Sequence, residues 1–579
     1  MTDVNQLITD HLDIWTAATE KKSSAGRGNG GSVSLHGIKK LRELILELAV
    51  RGKLVPHDDT DVPADGLLDQ LHLQQAQMFA KGIIKKPKPV AKIAASELPF
   101  ELPRGWTWCR VSQLGHDWGQ KVPESQFTYI DVGSINKELG LVSEPTVLEA
   151  SNAPSRARKL VRNGTVVYST VRPYLLNIAV ITETFEPEPI ASTAFAILHP
   201  FDGVSASYLY RYFRSPTFIS YVEGCQTGIA YPAINDKQFF SGLVPLPPTA
   251  EQHRIVAKVD ELMALCDALE RQAEGSLKAH QTLVETCLAT LTNSQSPEEL
   301  TRNWTRIEAH FDTLFTTEES VARLETTVLE LAIRGLLVSQ DPSDEPAATW
   351  LERAVRTRDK LVKAKTIRKP KATKDVDGLP KPYPLPESWA WARLPEVGEL
   401  ARGKSKHRPR NDRRLFDGGE YPLVQTGDVA RANPFIVESE SFYNDFGLQQ
   451  SRLWPSGTLC ITIAANIADT GILSIDACFP DSVVGYIPFE DDVDVTYFDY
   501  FIRTAKNDLE HYAPSTAQKN INLEILGEVL VPLPPKAELN RICDRVSDLL
   551  KICKMLRQRI RDSKGASVKL ADTLTSKIH

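Results

Sequence analysis

The sequence predicts an α+β fold: two small α/β domains separated by long helices that pair as an antiparallel coiled-coil spacer, with an internal pseudo-two-fold repeat. Three observations predict it. Short motifs occur twice at nearly constant offset, an apolar stripe with alternating spacings of 4 and 3 follows the last motif of each copy, and short β-rich runs fill the stretch between.

The repeat is read first because it sets the architecture. "LELAVRG" at Leu46–Gly52 returns as "LELAIRG" at Leu329–Gly335, an offset of 283. Lys86-Pro87-Lys88 returns at the same offset of 283 as Lys369-Pro370-Lys371. Leu102-Pro103-Arg104-Gly105-Trp106-Thr107-Trp108 returns, again at 283, as Leu385-Pro386-Glu387-Ser388-Trp389-Ala390-Trp391. Val244-Pro245-Leu246-Pro247-Pro248 returns at 287 as Val531-Pro532-Leu533-Pro534-Pro535. Between the Trp motif and the Pro motif the copies barely align. The frame is duplicated and its contents differ.

In chain order, Ile38–Arg51 and Val321–Arg334 read as helices closed by Gly52 and Gly335 as glycine stops. Segments near Leu67–Phe79 and Trp350–Lys363 read as their helical partners, and Lys81–Lys92 and Lys363–Lys374 as extended Lys/Pro linkers. "GTVVYSTV" (Gly164–Val171) and "GTLCITIA" (Gly457–Ala464) are strand-like, with "YIDVGSI" (Tyr129–Ile135) and "YPLVQTGDV" (Tyr421–Val429) as matching earlier strands. After Pro248 a seam runs through Ile255, Val259, Leu262, Cys266, Leu269 and Ala273 to Leu283 and Cys287. After Pro535 it runs through Ile542, Val546, Leu549, Cys553, Leu556 and Ile560 to Leu570 and Leu574. Each helix of roughly 40 residues spans about 60 Å at 1.5 Å per residue. The other packing for these helices is against their own domains.

Composition bounds the function. The 579 residues carry 42% apolar and 25% charged side chains, enough for several cores. A net charge of −6 argues against a wholly basic nucleic-acid coat but leaves local patches open. The eight cysteines form no CxxC pair, so neither a zinc ribbon nor a disulfide framework is expected, and reduced cytoplasmic thiols are. "MTDVNQLITDHLDIW" is not a signal peptide, and no run of 18 apolar residues predicts a membrane span.

Catalytic motifs are missing. "NPF" at Asn433–Phe435 lacks the second proline of an adenine methyltransferase motif. There is no GxxxxGK[ST] phosphate loop and no HExxH spacing. "GRGNGG" matches GxGxxG at Gly26, Gly28 and Gly31, but "EKKSSA" precedes it where a strand is required, so it reads as a linker. His57-Asp58-Asp59 reads as a polar turn.

The order Leu-Pro-x-x-Trp-x-Trp, variable α/β domain, Val-Pro-Leu-Pro-Pro-x-x-Glu, long helix, written twice, resembles the specificity subunit of type I restriction–modification systems. "LDIWTAATEKKSSAGRG" followed by "GIKKLRELILELAVRGKLVP" is similar to a subgroup with an extended N-terminal conserved region. The resemblance covers essentially the whole chain. It implies a non-catalytic subunit in which two target-recognition domains, residues 100–248 and 384–535, each read one half of a split, asymmetric double-stranded DNA sequence. The helical regions 1–99, 249–383 and 536–579 then set the spacing and dock two methyltransferase subunits, and two restriction–translocase subunits complete the assembly. S-adenosylmethionine, ATP and Mg belong to those partners, and no membrane is involved. The other function classes weighed are a coiled-coil protein scaffold without DNA reading and an enzyme of unrecognised type.

DNA contact calls for cations to hold phosphates and for side chains that reach base edges. In the second domain "KSKHRPRNDRR" sets Lys404, Lys406, Arg408, Arg410, Arg413 and Arg414 against one acid, Asp412. In the first, "SRARKLVR" supplies Arg156, Arg158, Lys159 and Arg162 with no acid among them. The alternative for both runs is a solvated loop. Arg172 before Pro173 is a candidate guanine reader or an ion-pair partner, and Gln425 with Thr426 a candidate adenine reader or a turn cap. Gln518, Lys519 and Asn520 precede the second Pro motif and are polar enough to reach DNA. The four tryptophans at the domain entrances read as core anchors rather than stacking platforms.

Overall fold

A computed structural model of the chain describes residues 4–21, 33–228, 231–294, 296–371, 376, 378–464, 467–511 and 521–576. The GxGxxG stretch lies outside them. The chain forms two compact units: residues 1–276 with 562–579, and residues 277–561. All eight cysteines are free. No helix of the described residues is long and apolar enough to cross a membrane.

In the first unit the helix His36–Val50 buries one face, Ile38, Leu41, Leu44, Ile45 and Leu48, against Trp15 and the domain beyond. It stops at Gly52, whose φ of +65° is the left-handed conformation a side chain resists. A Cβ there stands 2.4 Å from Pro103 Cγ, so the stop is also where the chain passes closest to the domain entrance. The second unit repeats the arrangement with Glu318–Ile333, Gly335 at φ +71°, and Pro386 Cγ 2.6 Å from the built Cβ. Partner helices are Ala64–Ala80 and Ala347–Lys363.

The two sequence motifs that bracket each domain pair with each other. Leu243–Leu246 lies antiparallel to Thr107–Arg110, with Pro245 opposite Trp108. Leu530–Leu533 lies antiparallel to Ala390–Arg393, with Pro532 opposite Trp391. Each ladder is two-stranded, so the missing N–H of the proline leaves no neighbour unpaired. The proline carbonyl accepts a tyrosine hydroxyl, from Tyr208 at 2.6 Å in one unit and from Tyr497 at 2.6 Å in the other. Entrance and exit of each domain are thereby held together.

Tryptophans at the entrances are anchored as expected. Trp106 and Trp389 are buried, and their indole N–H groups donate at 3.0 Å to Glu251 and Glu538, the first-turn acids of the long helices. His57 Nδ1 lies 2.8 Å from the other Glu251 oxygen, so this histidine belongs to the joint rather than to a free polar turn. Gln340 donates to Glu538 at 2.6 Å in the same role. Trp108 packs on Phe100 and Trp391 on Tyr383, and each of those rings carries an arginine, Arg51 or Arg334, over its face.

Between entrance and exit the units differ. The first holds two four-stranded sheets. One runs Thr146–Leu148, Phe127–Ile130, Pro189–Ser192, Ala157–Leu160, and the other Ile178–Val180, Val166–Ser169, Phe195–Pro200, Gly115–His116. The second holds a five-stranded sheet ordered Gly398–Arg402, Val483–Pro488, Leu459–Thr462, Thr470–Leu473, Phe435–Ile436. The two Gly-Thr runs become strands in these sheets. Tyr421–Val429 departs from its expected strand: Tyr421–Pro422 is a strand, Leu423 adds a single bridge to Cys478, and Thr426–Arg431 is helical. Asp428 causes the switch by accepting the Gln425 backbone N–H at 2.8 Å, which caps a helix start.

The long helices run Thr249–Thr292 and Lys536–Ser576. Ile255, Val259, Leu262, Cys266 and Leu269 are buried along the first, and Ile542, Val546 and Cys553 along the second. Later the seam departs from expectation. Leu283 is 51% exposed and Leu570 46% exposed, while the next residues, Val284 and Ala571, are buried. From Ala273 to Val284, and from Ile560 to Ala571, the step is 11 residues. Three turns of an α-helix take about 10.8 residues, so this step keeps one face in line where a further heptad rotates off it.

Candidate nucleic-acid interface

In the second unit the basic run Lys404–Arg414 leaves the edge strand Gly398–Arg402 and forms an irregular loop ending in a short turn at Arg413–Leu415. Asp412 organises it. Its carboxylate accepts from His407 Nε2 at 2.7 Å, from Arg414 at 2.7 Å and from the Arg414 backbone N–H at 3.0 Å. These donors, Arg414 foremost, hold the carboxyl well below the usual carboxylate range. Arg410 pairs with Asp481 at 2.6 Å, and Arg408 donates to the Ser405 and His407 carbonyls. Lys404, Lys406, Arg408 and Arg413 are exposed and have no carboxylate partner among the described residues. A loop whose one internal acid is engaged by His407 and Arg414, while four cations stay unneutralised, is suited to phosphate oxygens.

Gln425 is exposed and Thr426 half-buried at the capped helix start, where the Gln425 side chain lies 3.4 Å from Ser441 Oγ. Gln425 thus sits at the helix start rather than in a strand, with its side-chain amide at the surface. Gln518, Lys519 and Asn520 lie outside the described residues. Arg452, near this loop's parent strand, is engaged within the fold. It stacks over Trp454, 3.8 Å from the ring centroid, and pairs with Glu399 at 2.8 Å. Its sequence surroundings carry no basic run.

The run in the first unit is not one loop. Ala157–Leu160 is a strand in a sheet, so its side chains alternate between faces. Arg156 is exposed ahead of it, and Arg158 is half-buried with Nη1 on the Ala157 carbonyl at 2.7 Å. Lys159 is corrected: its side chain is 9% exposed, and its ammonium donates to Phe195 O at 2.6 Å and to Asp236 at 2.7 Å. The strand alternation turns it inward, and buried charges demand such partners. It acts within the fold and does not face a ligand. Arg162, exposed, lies over Trp118 at 3.9 Å.

Arg172 occupies an unusual turn. Its φ is +48°, and Leu176 follows at +54°. The Arg172 backbone N–H donates to Pro232 O at 2.8 Å, Val171 bridges Ala233, and the guanidinium lies over the Tyr231 ring at 4.8 Å. No carboxylate pairs with it among the described residues.

Among the described residues no group of three His, Cys, Asp or Glu side chains is placed to hold a metal ion.

The family described as the type I restriction modification DNA specificity domain matches residues 386–562. The chain is 34% identical over 596 residues to the type I restriction enzyme EcoAI specificity subunit of Escherichia coli, covering 99% of each chain. It is 33% identical over 602 residues to the EcoEI specificity subunit of Escherichia coli, again covering 99% of each. The HsdS subunit of Thermoanaerobacter tengcongensis aligns at a TM-score of 0.44 and 22% identity, covering 83% of this chain and 98% of that one. With one third of its residues shared across essentially the full length of such relatives, the chain belongs to the type I restriction enzyme specificity subunits, the DNA sequence-specificity component of those systems.

Proposed function

We propose that this chain reads a bipartite, asymmetric double-stranded DNA target and itself catalyses nothing. Residues 100–248 read one half and residues 384–535 the other. The helical regions 1–99, 249–383 and 536–579 form the frame, an internal pseudo-two-fold repeat in which the two long helices pair as an antiparallel coiled coil. That frame sets the unread gap and docks two methyltransferase subunits, with two restriction–translocase subunits completing a cytoplasmic complex. S-adenosylmethionine, ATP and Mg are held by those partners.

One observation carries the reading: the same closed joint occurs in both units, while the domains it closes differ in sheet order and surface. Trp106–Glu251 and Trp389–Glu538, Arg254–Asp61 and Arg541–Asp344, and the two Trp–Pro ladders all recur. A repeated rigid frame with unlike readers fits two unlike half-sites, whereas identical readers fit palindromes. The four unneutralised cations of the 404–414 loop favour DNA over a protein-only scaffold.

The test is a genome-wide methylation map of a host carrying the whole system, with this chain intact, deleted, or with residues 100–248 exchanged for those of a relative. One split motif lost on deletion, with one half altered on exchange, supports the reading. An unchanged map on deletion refutes it.

A further inference from the structure

The turn at Val171–Leu176 combines two residues of positive φ with exposed apolar and aromatic side chains. Arg172 and Leu176 both adopt positive φ, a conformation that side chains resist, so the surrounding contacts must hold them there. The Pro173 ring fixes the next φ, and the Arg172 N–H to Pro232 O bond and the Val171–Ala233 bridge tie the turn to the segment before the Pro motif. On this braced turn the exposed side chains are apolar or aromatic: Val171, Tyr174 at 48% and Leu175, with Tyr231 at 69% on the segment it is tied to. A surface that gathers such groups around one arginine is built for contact.

The geometry of Arg172 indicates which contact. Its guanidinium carbon lies 4.8 Å from the Tyr231 ring centroid, and no carboxylate pairs with it among the described residues. A cation over a ring face keeps its N–H groups available as donors. A fork of parallel donors held in one plane matches the O6 and N7 acceptors of guanine.

The chain's own repeat points to the same place. Ile234 and Asn235 correspond at offset 287 to Ile521 and Asn522. Both isoleucines are buried, and both asparagines cap a short helix, accepting from Gln238 N and from Ile525 N. Counting back from these anchors in the sequence, Tyr231 occupies the place of Gln518. The frame is the same on one side of this point, and the chemistry changes from an aromatic ring to an amide on the other. A position that varies between two readers on one frame is where discrimination is expected.

We propose that Arg172, Tyr174 and Tyr231 form a single base-reading hook of the first recognition domain, with Arg172 contacting a guanine edge, Tyr231 holding its guanidinium in plane, and Tyr174 packing on the neighbouring base. This rests on the DNA-reading function proposed above.

The test uses the complete methyltransferase complex and its own methylation motif as mapped in the host. Duplexes carry that motif, or the motif with one G·C pair of the first half inverted. The intact complex discriminates at the hook's pair by about 5- to 150-fold, the range of a good bidentate contact. Arg172→Ala and Arg172→Lys abolish that discrimination, Tyr231→Ala reduces it, and Tyr231→Phe retains it. Tyr174→Ala weakens binding of the cognate duplex. In the methylation map the first half relaxes at one position while the second half is unchanged, a result that loss of stability does not produce. Tyr231 is at the surface, so its variants keep the question open to measurement if Arg172 variants assemble poorly. Full discrimination retained in both Arg172→Ala and Tyr231→Ala overturns the hook alone. A wild-type complex that marks no split motif overturns the DNA-reading function and the hook with it.

Discussion

The indole N–H of Trp106 donates to the carboxylate of Glu251 at 3.0 Å, in a site where both side chains are buried. It joins the entrance of a domain to the helix that leaves it, 145 residues later. His57 Nδ1 lies 2.8 Å from the other carboxylate oxygen. Trp106→Phe removes the donor and keeps most of the ring, so it is expected to lower unfolding free energy by about 1–3 kcal/mol. Trp389→Phe, which removes the donor to Glu538, has the same expected effect. Denaturant titration of the chain measures both, and an unaltered methylation motif in either variant shows that the joint supports rather than reads.

Gly52 and Gly335 combine two demands for glycine that Gly82 separates. Both have positive φ, and both face a proline ring within 2.6 Å of a built Cβ. Gly52→Ala and Gly335→Ala are each expected to destabilise by about 2–4 kcal/mol, from left-handed strain plus overpacking. Gly82 has φ +68° with no atom within 4 Å, so Gly82→Ala carries only the strain, about 1 kcal/mol. Thermal unfolding of the three variants orders them.

Lys406 and Arg408 are exposed without carboxylate partners among the described residues. If they hold phosphates, Lys406→Glu and Arg408→Glu weaken binding on every DNA sequence alike. Each also reduces the slope of log K against log salt by about 1. Affinity measured at several salt concentrations tests this, and an unchanged slope assigns the loop to solvent.

His199 is set among His116, Trp118 and Arg162, with its Nδ1 3.0 Å from Thr165 Oγ1. Burial first, then the nearby His116 and Arg162 charges, push its pKa down to about 4, against a smaller opposing pull from Asp202. Between an ordinary pKa near 6.5 and that value, the unfolded chain binds a proton that the folded chain refuses. Stability therefore falls as pH drops through that window and is insensitive to this group above it. His199→Gln is expected to flatten the melting temperature between about pH 6.5 and pH 4. An equally steep profile in the variant assigns the pH dependence elsewhere.

Much of the candidate site was legible only as composition. The 404–414 run is a cationic loop as its sequence suggests, because a dense local excess of one charge cannot be neutralised by neighbours along the chain. The 156–162 run is not, because Lys159 meets Asp236 and the Phe195 carbonyl, neither of which is adjacent in sequence. The hook was half legible: Arg172 stands out before Pro173, whereas Tyr231 gains meaning only when the Pro232 carbonyl brings it beneath the guanidinium.

By itself the sequence determined the duplicated frame, its helices and their glycine stops, and the seam as far as Ala273 and Ile560, buried at its start and half-buried at its end. These follow from periodicity and turn chemistry, which act over one or two helical turns. Tertiary structure alone decided that Leu283 and Leu570 yield to Val284 and Ala571, because helix geometry past a weak seam position selects the face that stays in line. It alone paired Trp108 with Pro245 and Trp391 with Pro532, and it alone turned Lys159 inward. Strand pairing and buried ion pairs join residues far apart in the chain, where no local pattern records the partner.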